Sequence, residues 1–197
     1  FNGATWLNVQ PTIYEGVNND TLQINGVNSS INGTRYRVVV SGTCAPDSIS
    51  EEATLTVDER PEVLGAPLDQ TICEGDNTSF GISTGATTSP TVTWEFFNGT
   101  SWNTATGAIF STNTNGDTLL LTAADFSYND NLFRAIVSNG CGPDDTSMVA
   151  TLTVKIRPEI LIQPVNALQC EGLPATFGID AGSTSTPVYQ WEMNDGT

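Results

Sequence analysis

The sequence contains no histidine, a single lysine (Lys155), and only 6 basic residues against 22 acidic ones. Without histidine no Ser-His or Cys-His dyad can be assembled, so the usual route to an activated nucleophile is closed. A net charge of −16 leaves no cationic surface to neutralise phosphates, which argues against nucleic acid as a partner and against docking on anionic lipid. It reads instead as a solubility device, because like charges keep neighbouring chains apart. There is no initiator Met, no signal peptide and no apolar run near the length of a membrane span, absences that say little in a piece of a longer chain; direct membrane insertion is not expected. No glycine-rich phosphate loop occurs, and no pair of acids is placed by a cleft motif. No segment carries a 3.6-residue apolar period. The expectation is a chain without catalytic or cofactor-binding residues, and not an enzyme.

What is present is a repeat. Ala53-Thr54-Leu55-Thr56-Val57 returns 97 residues later as Ala150-Thr151-Leu152-Thr153-Val154, and Arg60-Pro61-Glu62 as Arg157-Pro158-Glu159. Cys44 returns as Cys141, Cys73-Glu74-Gly75 as Cys170-Glu171-Gly172, and Trp94 as Trp191. Phe1-Asn2-Gly3 matches Phe97-Asn98-Gly99 one residue out of step, and Asp195-Gly196-Thr197 matches Asn98-Gly99-Thr100. Such a period means an array of similar modules. The expected division is the C-terminal part of one module over 1–57, a complete module over 58–154 and the N-terminal part of a third over 155–197. A half module keeps too much surface exposed to bury a closed core, so the natural polypeptide is expected to continue in both directions.

Period-two patterns rich in Val, Ile, Thr and aromatics mark the strands. Within 58–154 they predict Glu62–Leu64, Thr78–Ser83, Thr91–Phe96, Thr118–Thr122, Leu132–Ser138 and Met148–Val154, with Thr71-Ile72 leading into a turn at Glu74–Asn77. Asn98-Gly99 and Asn115-Gly116-Asp117 are turn signals, since Asn and Gly tolerate positive φ. Seven short strands in under about a hundred residues predict an all-β antiparallel sandwich. The joints Val57–Pro61 and Val154–Pro158 are short and end in proline, which fixes φ and restrains the preceding residue. They read as stiff.

Phe80-Gly81-Ile82, then Trp94, then Phe133-Arg134-Ala135 resemble an immunoglobulin domain of the intermediate set. The resemblance implies a core of Phe80, Ile82, Trp94, Phe133 and Ala135. Trp94 matches the buried tryptophan of the third strand, and Ile82 and Ala135 stand where the inter-sheet cysteines usually are. Phe133 and Tyr36 match the tyrosine-corner position. The missing cysteine pair leaves apolar packing to hold the sheets together. The Cys-Glu-Gly start, the Tyr189–Glu192 run and a cysteine after the sixth strand are similar to Ig-like repeats of giant secreted proteins of Bacteroidota, including gliding-motility and other surface adhesins. That resemblance implies export through the type 9 system, a place on the bacterial cell surface, and a surface anchor or motility apparatus as partner.

Four cysteines remain: Cys44, Cys73, Cys141 and Cys170. With no CxxC pair and no histidine, zinc is not expected, and an exported protein favours disulfides. Two pairings stay open. Cys73 with Cys141 is the pairing within a module. In the expected fold, however, the turn after Cys73 lies where the chain leaves the sandwich and the Cys141 loop where it arrives. A seven-residue strand separates these ends by roughly 23 Å, whereas a disulfide needs Cα atoms within about 7 Å. The other pairing joins neighbours, Cys73 to the sixth-strand cysteine of the following module and Cys141 to a cysteine before Phe1. A first strand ending nearer the arriving end would restore the internal pair.

Weaker signals complete the inventory. Asp58, Glu59, Asp144 and Asp145 gather carboxylates near a joint, as calcium would need, but the second joint has Lys155-Ile156 at the places of Asp58-Glu59. Asp20-Thr21-Leu22, Asp47-Ser48-Ile49 and Asp117-Thr118-Leu119 resemble the O-glycosylation signal of Bacteroidota, making Thr21, Ser48 and Thr118 candidates. Each is equally a strand start after a turn aspartate. Trp6, Trp102 and Phe97 offer flat apolar area for sugar stacking, or merely cover a sandwich edge. The functional expectation is a structural stalk of tandem Ig-like modules whose first partners are the neighbouring modules. The rivals are glycan- or protein-binding modules and an accessory region of a secreted hydrolase.

Overall fold

The computed structural model describes residues 5–196; the Phe1-Asn2-Gly3 and Thr197 ends of the repeat match lie outside them. The described residues form two compact units. One comprises the N-terminal segment through Glu62 with Ala86–Pro90 and Ser138–Asp144; the other comprises Val63–Gly85, Thr91–Val137 and Asp145 onward.

The N-terminal unit holds six two-residue strands: β1 (Tyr14–Glu15), β2 (Gln23–Ile24), β3 (Arg35–Tyr36), β4 (Val39–Val40), β5 (Ser48–Ile49) and β6 (Ala53–Thr54). They pair as β1–β2, β3–β6 and β4–β5, all antiparallel. The hydroxyls of Tyr14 and Tyr36 lie 3.2 Å apart. Burial, then the Tyr14 hydrogen bond, pushes the Tyr36 phenol up to about 12.

The second unit contains a closed sandwich. Its strands are β7 (Gln70–Cys73), β8 (Thr78–Gly81), β9 (Thr91–Phe97), β10 (Trp102–Thr104), β11 (Phe110–Thr112), β12 (Thr118–Leu121), β13 (Leu132–Ser138), β14 (Asp145–Thr146) and β15 (Ala150–Lys155). One sheet runs β10-β9-β13-β15-β7, with β14 also on β13; the other runs β11-β12-β8. β7 pairs with β15 in parallel, while β9 with β10, β11 with β12, β12 with β8 and β13 with β14 and β15 are antiparallel. Alternation explains the layering: β13 and β15 show every second residue buried, as the period of a half-buried strand requires.

Phe80, Trp94, Leu119, Leu121, Phe133, Ala135, Ala150, Leu152 and Val154 form the buried core, with Ile82 partly buried against it. Phe80 and Phe133 stack at 4.5 Å between ring centroids, a geometry worth about 1 kcal/mol beyond area burial. The buried Trp94 indole donates to the Gly116 carbonyl at 2.9 Å, which removes the cost of an unpaired N–H in the core. Phe133, at the tyrosine-corner position, has no hydroxyl and acts through ring packing.

Three expectations differ in detail. Glu62–Leu64 forms no strand; the first edge contact is a Gly65–Ser83 bridge, with Leu64 N–H donating to Ser83 O at 2.8 Å. The first full strand is β7, which crosses to the other sheet. The last strand begins at Ala150 rather than Met148, because pairing with β13 slips by one residue between Ile136–Thr146 and Phe133–Ala150. That slip is a β-bulge. Ser147 fills it: its hydroxyl accepts from the buried Ala135 N–H at 2.9 Å and donates to Met148 O at 2.8 Å. The bulge is repeated in the N-terminal unit. There the register slips between Val39–Ile49 and Tyr36–Ala53, and Ser50 accepts from Val38 N–H at 3.0 Å and donates to Glu51 O at 2.9 Å.

Candidate functional site: the two joints

Each joint is held by side chains at matching places. Thr88 Oγ1 accepts from Glu59 N–H at 2.8 Å and Thr87 Oγ1 from Glu62 N–H at 3.0 Å. At the second joint, Ser185 Oγ accepts from Ile156 N–H at 2.9 Å and Thr184 Oγ1 from Glu159 N–H at 3.1 Å. The strand leading into each joint is also pinned. Asn32 Oδ1 accepts from Val57 N–H and Asn129 Oδ1 from Val154 N–H, both at 2.9 Å. A linker with three of its backbone donors held in this way is folded structure, because each unmade bond would release a group that water must then satisfy. Proline at 61 and 158 adds the fixed φ.

The second joint shows how the turn after β7 meets it. The Glu74 N–H donates to Lys155 O at 2.8 Å. The Arg157 guanidinium donates back to Glu74 O at 2.8 Å and pairs with the Asp76 carboxylate. Gly75, at φ +83°, makes this turn, and Gly172 repeats it at φ +84°; a side chain at either place would be strained. The first joint shows the loop after β13. Asn139 Nδ2 donates to Glu59 O at 2.6 Å and Thr88 O at 3.0 Å, while its Oδ1 accepts from Cys141 N–H at 3.0 Å. Cys141 Sγ donates to Asp58 O at 3.4 Å.

Among the described residues no two cysteines are bonded to each other; Cys44, Cys73 and Cys170 are exposed and Cys141 is half-buried. The carboxylates singled out for calcium do not converge: among the described residues no group of three or more acidic or thiol ligands could hold a metal ion. Asp145 is spent otherwise, its Oδ2 accepting from Val63 N–H at 2.8 Å and its Oδ1 from Thr146 N–H at 2.9 Å. Of the three glycosylation candidates, Thr21 and Ser48 are exposed, and Thr118 is half-buried on β12. The hydroxyls of Thr21 and Thr118 donate to the preceding aspartates at 3.2 and 2.9 Å.

Trp102 does not present a bare ring. The Arg134 guanidinium lies 3.9 Å from its centroid and is itself bound to Glu95 at 2.8 Å. Arg37 covers Trp6 in the same manner at 4.1 Å. One face of each indole is therefore occupied by a cation–π contact. The clamps at 87–88 and 184–185 are not among the expectations drawn from the sequence. The signal was available in Thr87-Thr88 returning as Thr184-Ser185 at the repeat distance.

No family model matches the chain. It is similar to Roundabout homolog 2 of Homo sapiens, 26% identical over 178 residues, 88% of this chain and 12% of that protein. It is also similar to Endoglucanase C of Cellulomonas fimi, 25% identical over 136 residues, 69% of this chain and again 12% of the relative. The chain thus spans about an eighth of the length of the curated relatives it matches. Among solved structures, the N-terminal eight Ig domains of Down Syndrome Cell Adhesion Molecule match at a TM-score of 0.56 and 18% identity, covering 68% of this chain and 17% of that one. The fold is immunoglobulin-like. Among the described residues, no helix is long and apolar enough to cross a membrane.

Proposed function

We propose that this chain is a non-catalytic stalk segment of a bacterial cell-surface adhesin, in which tandem Ig-like modules divided near 57/58 and 154/155 hold a distal region away from the cell. The observation that carries the proposal is the repetition of the joint clamps. Hydroxyls at matching positions bind the matching linker amides in both copies, so the fixing of the linker backbone is written into the repeat. A stalk needs fixed joints more than it needs a binding face. The acidic surface suits an extracellular place, and the repeat type resembles that of Bacteroidota adhesins, which supplies the surface location, the type 9 export route and an anchoring or motility apparatus as the partner.

Small-angle scattering on chains of increasing repeat number tests this. Stiff joints make the maximum dimension grow in proportion to the number of repeats, whereas flexible joints make it grow about as the square root. Square-root growth would remove the stalk. The similarity to Endoglucanase C keeps an accessory region of a secreted hydrolase as the second reading; a hydrolytic domain elsewhere in the same polypeptide would favour it. Modules that bind glycans are less favoured, because Arg37 and Arg134 occupy a face of the two candidate indoles.

A further inference from the structure

We propose that successive modules are covalently stapled by a disulfide between the cysteine ending β7 of one module and the cysteine after the sixth strand of the next, so that Cys73 and Cys141 belong to different bridges. The inference rests on the location just proposed only for its oxidant, and not on the stalk role. Its basis is one backbone position seen twice. Asp58 and Lys155 stand 97 residues apart, at the same place in the two joints. At the first joint, Cys141 Sγ donates to the Asp58 carbonyl at 3.4 Å. At the second, the Lys155 carbonyl accepts the Glu74 N–H at 2.8 Å, and Lys155 is in parallel register with Cys73 itself.

The two joints carry matching backbone hydrogen bonds, from Glu59 and Glu62 to Thr88 and Thr87 and from Ile156 and Glu159 to Ser185 and Thr184, with lengths that differ by only about a tenth of an ångström. Where one repeat follows another, the two cysteine-bearing loops therefore converge on a single carbonyl. The bridge requires Cys73 and the following module's counterpart of Cys141 to stand within the Cα separation a disulfide spans, about 7 Å. Both Cys73 and Lys155 are exposed, which leaves the approach open. Bond formation is thiol–disulfide exchange. One thiolate attacks a disulfide-bearing oxidant of the exported compartment, breaking its S–S bond to give a mixed disulfide, and the second thiolate displaces it; the inter-module S–S bond forms, and the two protons lost by the cysteine thiols end on the oxidant, which leaves as its dithiol.

The test is peptide mapping without reduction on the full-length protein purified from its own cells, as wild type and as Cys73→Ser. The expected result is a Cys73 peptide linked to the sixth-strand cysteine peptide of the following repeat, with Cys141 still oxidised in Cys73→Ser. A Cys73–Cys141 link, or alkylation of Cys141 in Cys73→Ser, would overturn the proposal. So would thiols that stay free after treatment with glutathione disulfide. Thiols free in the isolated protein that close to the inter-repeat link under glutathione disulfide would uphold the pairing and count instead against the extracellular location.

Discussion

Trp94 is 2% exposed, and Trp191, its counterpart one repeat on, is 53% exposed; Phe80 and Phe177 stand at 1% and 55%. The same holds toward the N-terminus, where Ala135 and Val137 are at 0% while Val38 and Val40 are at 49% and 60%. The spacings are the same and every compared position is apolar. What differs is that 63–155 supplies both sheets, so each inward face meets another. The segment after Ile156 carries counterparts only of residues up to 100, and the described residues before Asp58 carry counterparts only of those beyond about 101. An apolar pattern is a promise of burial that only the facing sheet fulfils. The cleft in the C-terminal segment is lined by Ile160, Ile179, Val188 and Trp191, of which Ile179 and Trp191 are the counterparts of Ile82 and Trp94 in the core of 63–155.

The largest expected effect follows directly. Trp94→Ala empties a large buried site and loses the Gly116 bond, so denaturant unfolding of the sandwich should show a loss of about 3–5 kcal/mol. Trp191→Ala in the same chain should change that transition by less than about 0.5 kcal/mol, as surface changes do. Equal effects would break the comparison. Ser147→Ala comes next. It strands the N–H of Ala135 in a buried bulge, at about 1–3 kcal/mol. Ser50→Ala makes the same deletion at an exposed site, where water takes over, and should cost distinctly less in the same measurement.

Much of this architecture was legible. Trp94, Phe80 and the alternation of Leu132–Ser138 indicate strands and faces unaided, because side-chain period and turn chemistry are local. The crossing of β7 to pair in parallel with β15 was not, since parallel pairing of distant segments leaves no local mark. The serine bulge was hidden in a run that reads as a continuous strand. The joint clamps were hidden for another reason: a hydroxyl that fixes a linker looks like any Thr or Ser in a loop until its partner is known. The carboxylates near the joint suggested calcium by number alone, yet Asp145 is committed to backbone amides.

Smaller effects sharpen the comparison within the open N-terminal unit. With its ordinary value at 10.0 and its folded value at about 12, Tyr36 holds its proton longer when folded. Its contribution is intact below pH 10 and is lost as pH rises toward 12, because the unfolded chain ionises first. Phenolate absorbance should show Tyr36 titrating late, alongside Tyr128, which burial and then the Asp125 charge also raise, and Tyr14→Phe should move Tyr36 alone back toward the ordinary range. The smallest effect is at Arg157. Its pair with Asp76 is half-exposed on both sides, so Arg157→Gln should cost no more than about 1 kcal/mol and less in high salt, read by the salt dependence of unfolding.

The central claim is that the joints are folded structure with one geometry. Amide hydrogen exchange at Glu59, Glu62, Ile156 and Glu159 tests it most directly. The account predicts clear protection at all four, of similar size in each matched pair, and its selective loss at Glu62 in Thr87→Val and at Glu159 in Thr184→Val. Exchange at the rate of an unstructured linker, or protection at one joint alone, would contradict it.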